Sequence, residues 1–250
     1  MSETVFEIGE TEKKNEVRAI ITAQTTQQLA WLDEQNDGQY QYRAITLPGE
    51  RFFFEAALAA SVPILSDKAQ LHIDCYENNY DTYERLTKRH FPPNCSVHYG
   101  PFETAGIPAQ GFNLVWADYC CAPHNPLLFE HPLTMATRFV GPTLVYYTFC
   151  QRTRLGIAGL KNKLGLTDEY VAADLYVRGI ESLDDDIGVG DLIESKIYEV
   201  ADSQGVDIDL VARLRYRGAA TQGGVHGPPM VTVGFQVGSG AGLKIKPYGC

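Results

Sequence analysis

The chain has 250 residues, 44% hydrophobic, 21% charged and 11% aromatic, which supplies a sizeable core and excludes a disordered or collagen-like protein. Its 21 Lys and Arg stand against 31 Asp and Glu, a net charge of -10, so any contact with nucleic acid needs a local basic patch. The longest apolar stretches, such as 56–65, fall far short of the roughly 20 residues that span a bilayer, and the opening MSETVFEIGETEKK lacks a basic start and an apolar run; a cytoplasmic protein with no membrane contact is expected.

Residues 15–34 carry Val17, Ile20, Ile21, Leu29 and Leu32 with Trp31 at rough helical spacing, closed by Asn36, Asp37 and Gly38. This predicts a helical extension over 1–40 ahead of one α/β domain over 41–250. From Tyr42 onward short β-rich runs alternate with helical ones, the signature of a parallel sheet covered by helices. Strands are predicted over 43–47, 70–76, 96–99, 112–117 and 143–149. Helices are predicted over 50–61, 80–90 and 127–140, the last with Pro132 near its beginning and Gly141-Pro142 as its stop. Beyond Phe149, helical patterns over 167–183 and 190–203 precede strand-like runs over 206–216 and 230–237, which read as an antiparallel hairpin. Cys75 and Cys150 lie inside strand-like runs, and the six cysteines form no dense framework, so buried thiols are expected.

Chemistry-bearing residues gather where the predicted strands end. Leu47-Pro48-Gly49-Glu50 follows the first strand, and Glu77-Asn78-Asn79 follows the second. His98-Tyr99-Gly100-Pro101-Phe102-Glu103 follows the third, and Phe112-Asn113-Leu114-Val115-Trp116-Ala117-Asp118-Tyr119 carries the fourth. After the fifth, Arg152, Arg154, Lys161 and Lys163 put four positive charges in 13 residues with no acid among them. In an acidic chain that is the natural side for a phosphate-bearing partner, or else an ordinary solvated helix start. The stretch 168–209 has 13 acids against Arg178 and Lys196 and reads as a solvated acidic face.

Five parallel strands, a helix and a terminal antiparallel pair, together with the F-N-L-V-W-A-D segment, resemble the class I S-adenosylmethionine (SAM) dependent methyltransferases over roughly residues 40–238. The resemblance implies an α/β, Rossmann-like methyltransferase fold, a mostly parallel sheet with a terminal antiparallel strand and helices on both faces. It further implies SAM as cofactor, approached by Pro48 and Gly49, with Glu77 on the ribose and Glu103 on the adenine edge beside Phe102. Asp118 and Tyr119 are the implied catalytic pair, on a nucleic acid if Arg152, Arg154, Lys161 and Lys163 hold phosphates.

Two departures leave alternatives open. One glycine stands where the family has G-x-G-x-G, and Pro48 removes an N–H donor, so a catalytically inactive fold kept as a binding or structural module is the rival reading. The Asp-Pro-Pro-aromatic motif of amine-directed nucleic-acid enzymes is matched only by its acid and aromatic. An NAD enzyme lacks its G-x-G-x-x-G. Cys120 as a thiolate nucleophile lacks the motifs that accompany one, and Cys120, Cys121, His124 and His131 match no standard zinc spacing, so no metal is expected.

Overall fold

The computed structural model describes residues 12–48, 52–65, 70–90, 92, 94–104, 112–119, 121–139, 141–178, 185–217, 227–238, 245, 247 and 248. Seven strands form one sheet: β1 Gln41–Thr46, β2 Gln70–Glu77, β3 Cys95–Tyr99, β4 Leu114–Asp118, β5 Thr143–Cys150, β6 Ile208–Arg217 and β7 Pro229–Val237. Their spatial order is β3-β2-β1-β4-β5-β7-β6. Strands β1 to β5 pair in parallel, and β7 runs antiparallel to both β5 and β6. This is a Rossmann-like α/β architecture, and its last strand is inserted antiparallel, inside the sheet rather than at its edge.

The helices are α1 Glu12–Gln35, α2 Phe53–Leu65, α3 Tyr80–Thr87, α4 Leu127–Ala136, α5 Gly156–Leu164, α6 Asp168–Val177 and α7 Asp185–Gln204. They cover both faces. Residues of α1, α2 and α3 pack with Ala44, Ile73, Trp116 and Tyr146 on one side, and residues of α4 to α7 pack with Ile45, Val115, Tyr147 and Phe235 on the other. The central strands β4 and β5 are buried on both faces, which is why Leu-Val-Trp-Ala and Leu-Val-Tyr-Tyr read as nearly continuous apolar runs.

Helix α1 is sealed to the sheet by polar as well as apolar contacts. Val17, Ile21, Leu29 and Leu32 are buried, and so are Gln24 and Gln28. Tyr146 Oη donates to Gln24 Oε1 at 2.7 Å and Tyr42 Oη to Gln28 Oε1 at 2.7 Å. The amide nitrogens of the two glutamines donate to the Val211 and Pro142 carbonyls. Buried amides are tolerated because each finds a partner.

Several sequence expectations are corrected. The fourth predicted helix ends at Ala136 rather than 140, and the last begins at Asp185 rather than 190. Helix α5, which the pattern did not resolve, occupies the basic segment and stops at Gly165, φ 72°. The largest correction concerns the acidic stretch. Asp191 and Glu194 have side chains 0% exposed, held with Asp174 by Arg178 of the α6 cap and by Arg213 and Arg215 of β6. Three guanidinium groups therefore turn part of the expected solvated face into a buried ionic cluster.

Candidate functional site at the carboxyl edge

The sheet order reverses between β1 and β4, and in an open α/β sheet the crevice beyond the carboxyl ends at that point receives ligands. A cleft of about 730 Å³ lies there, lined by Pro48 after β1, Glu77 of β2, Phe102 and Glu103 after β3, and Asp118 and Tyr119 at the end of β4. The structure thus brings five of the six residues singled out for cofactor and catalysis to one place. Gly49, the sixth, lies outside the described residues.

Beyond Pro48 the next described residue is Phe52, which is 3% exposed with φ 49°. A bulky residue in the left-handed region stores about 1–3 kcal/mol of strain, held here by packing in the core under α2. Glu77 Oε1 accepts the Asn79 N–H at 2.7 Å, while Asn79 Oδ1 caps α3 by accepting the Thr82 N–H at 2.9 Å. The helix cap is therefore Asn79, and the Glu77 carboxylate is held at the cleft.

Phe102 is 2% exposed, so it is a packed wall rather than an open stacking surface. Its ring meets Tyr76 and Tyr119 edge-on at 6.2 and 6.0 Å. Tyr119 in turn stacks on Phe149 at 5.3 Å. Its hydroxyl is buried with no hydrogen-bond partner, and burial followed by the charge of Glu103 raises its pKa far above the ordinary range. Burial and Glu103 also raise the pKa of the Cys121 thiol. Tyr119 accordingly lines the cleft as a neutral phenol.

Asp118 has a partner the sequence reading missed. Lys14, in the first turns of α1, sets its Nζ 2.9 Å from Asp118 Oδ2, with side chains 21% and 9% exposed. One turn on, Arg18 lines a small void with Glu55, Trp116 and Asp118. The available signal was a pair of cations at i, i+4 on a helix preceding an acidic sheet edge. His124 and Asn125, beyond β4, also line the cleft.

The basic segment divides. Arg152 and Arg154 are exposed just past β5, whereas Lys161 and Lys163 occupy the last turn of α5, where cations complement the helix dipole. Lys161 is ion-paired with Asp168. Among the described residues no group of three or more His, Cys, Asp or Glu is arranged to hold a metal ion, and no helix is long and apolar enough to cross a membrane. Cys120 lies outside the described residues.

No family model matches the chain, and no curated protein does. Among solved structures it is similar to Trm5b from Pyrococcus abyssi, at 12% identity and TM-score 0.46 over 80% of this chain and 45% of that one. It thus spans less than half the length of that protein. It is also similar to a cyclopropane-fatty-acyl-phospholipid synthase-like protein from Lactobacillus casei ATCC 334, at 9% identity and TM-score 0.41 over 92% and 97%. A third is the S-adenosylhomocysteine-bound methyltransferase PaMTH1 of Podospora anserina, at 12% identity and TM-score 0.40 over 76% and 70%. What the cleft can bind follows from its own residues.

Proposed function

We propose that the chain is a SAM-dependent methyltransferase whose cofactor and acceptor meet in the carboxyl-edge cleft. The observation that carries this reading is the convergence of Glu77, Glu103 and Asp118, from the ends of three strands, around a cleft large enough for a nucleoside-sized ligand. The donor set fits the cofactor: an acid at the end of β2 suits two ribose hydroxyls, and the orphaned Tyr119 hydroxyl is a donor awaiting an acceptor. Pro48 offers no N–H at the end of β1, and SAM carries no phosphate that would need one, so the carboxylates carry most of the recognition.

When bound, the cofactor supplies an electrophilic methyl on a sulfonium. The chain's own contribution is orientation in a water-poor pocket. Asp118 accepts N–H or O–H hydrogens from the acceptor and aims its lone pair, while Tyr119, Phe102 and Phe149 exclude solvent behind it.

A nucleic-acid acceptor is the finer form of this reading, favoured by the exposure of Arg152 and Arg154 beside the same edge. Each phosphate contact adds about 0.7 to the slope of log affinity against log salt on single strands. An Arg152→Ala, Arg154→Ala double variant that leaves the salt slope for single-stranded RNA unchanged overturns it. The rival reading, an inactive binding module, is favoured by the lone Leu47-Pro48 turn in place of a glycine-rich one.

Isothermal titration with SAM and S-adenosylhomocysteine, repeated on Glu77→Ala, separates the two. Micromolar binding lost in the variant supports the enzyme. Absence of binding at millimolar ligand sinks it in favour of the module. With binding established, Asp118→Ala is expected to abolish methyl transfer from labelled SAM and to spare cofactor affinity.

A further inference from the structure

The cleft contains three carboxylates, Glu77, Glu103 and Asp118, and Lys14 is the one Lys or Arg among its described lining residues. That lysine does not belong to the sheet. It arrives from α1, and its ammonium sits at hydrogen-bond distance, 2.9 Å, from the carboxylate at the end of β4. Helix α1 is fixed by other groups: Val17 and Ile21 in the core and the Gln24 and Gln28 amides on backbone carbonyls. The Lys14 side chain is thus a flexible four-carbon arm on a rigid support. Its release leaves the helix in place.

We propose that Asp118 forms an amine subsite and that Lys14 is its tethered occupant, displaced when a ligand bearing a primary amine enters. The inference rests on the cleft being the ligand site proposed above, and it names the ligand chemistry: an amine on a flat apolar body. A carboxylate 9% exposed needs a donor or a positive charge against it, and Lys14 supplies both until the ligand does. Tyr76, Phe102 and Tyr119 give the walls for the body. A ligand bringing a carboxylate or phosphate to this point instead meets three like charges within a partly desolvated space.

An internal occupant lowers apparent affinity by the fraction of time it holds the subsite. Benzylammonium is the probe, with benzyl alcohol and benzoate as neutral and anionic controls, titrated by NMR shift perturbation into wild type, Lys14→Met and Lys14→Met with Asp118→Asn. Lys14→Met is expected to bind benzylammonium at least about tenfold more tightly than wild type. The gain should vanish in the double variant and be absent for both controls. Lys14→Gln, which keeps a polar stem, gives the same gain should Lys14→Met fail to fold. Equal or weaker benzylammonium binding by the folded lysine variants overturns the proposal.

S-adenosylhomocysteine is titrated in parallel. If it fails to bind wild type while the benzylammonium gain stands, the methyltransferase reading falls and the amine subsite survives. If it binds and no gain is seen, only the subsite falls. Benzylammonium binding retained under saturating S-adenosylhomocysteine assigns the subsite to the acceptor's amine, and binding abolished assigns it to the cofactor's own amino group; the subsite stands in either case.

Discussion

Gly234 lies directly opposite Tyr146 across the β5–β7 pair, and the Tyr146 ring covers its missing side chain. A Cβ there would sit 2.5 Å from Tyr146 Cδ1 and collide with Cε1 as well. The ring is 0% exposed and is held from its far end by Gln24 of α1, so it has nowhere to retreat. Gly234→Ala is expected to lower unfolding free energy by at least about 2 kcal/mol, as overpacking of a close-packed core does. Denaturant melts of the variant, alone and with Tyr146→Leu to make room, check this. A loss that the second substitution does not relieve argues against the steric cause.

The ionic cluster on α6, α7 and β6 makes a different demand. Arg178 Nη1 donates to Glu194 Oε2 at 2.9 Å and Nη2 to Asp174 Oδ2 at 2.6 Å, while Ser195 Oγ donates to the same Asp174 oxygen. Burial is the largest influence on Asp191 and Glu194 and raises both carboxyls, against the lowering effect of the guanidinium groups. Removing one partner leaves buried charge uncompensated, so Arg178→Met is expected to destabilise by about 3–5 kcal/mol. Adding Glu194→Met should recover part of that loss in a double-mutant cycle. Strict additivity would mean that the two residues do not act on each other.

Sequence pattern made the sheet legible because parallel strands buried on both faces leave uninterrupted apolar runs, as Leu-Val-Trp-Ala of β4 and Leu-Val-Tyr-Tyr of β5 do. The strand-end acid Asp118 stood out for the same reason, being the first charge after such a run, whereas Glu77 stood out as the acid that closes an alternating strand. Lys14 was invisible because its partner is 104 positions away in sequence and only the packing of α1 joins them. The buried ionic cluster was misread because charge counting along 168–209 omits Arg213 and Arg215, which come from the next strand and neutralise the acids in space. Helix α5 escaped because Gly156, Gly159 and the flanking basic residues weaken its apolar period.

Asn79 is the cap of α3, and its backbone N–H also fixes Glu77. Asn79→Ala removes the side-chain acceptor but keeps that N–H, so it is expected to cost about 1 kcal/mol of stability and to leave ligand affinity at Glu77 unchanged. Thermal unfolding and nucleoside titration read the two effects separately. A large fall in affinity with no fall in stability would show that the side chain belongs to the site rather than to the helix.

Glu55 gives the chain a stability that depends on pH from within its core. It lies in the first turn of α2, 2% exposed, and accepts the Thr46 hydroxyl hydrogen at Oε1, 2.8 Å away. Burial pushes its carboxyl above the ordinary value of 4.5; the Thr46 bond and Arg18 oppose this, and Asp118 adds to it. The folded chain therefore holds this proton at pH values where the unfolded chain has released it. Stability from this group is fully present below pH 4.5 and is lost as pH rises from there through the raised folded value. Glu55→Gln keeps an oxygen for Thr46 and carries no charge at any pH. It is expected to match wild type near pH 4 and to exceed it in stability at pH 8, the gap opening between. Melts of both proteins across that range decide the matter, since a gap that stays constant would mean that Glu55 titrates alike in the folded and unfolded chain, and wild-type stability that rises with pH would mean that Arg18 holds it ionised.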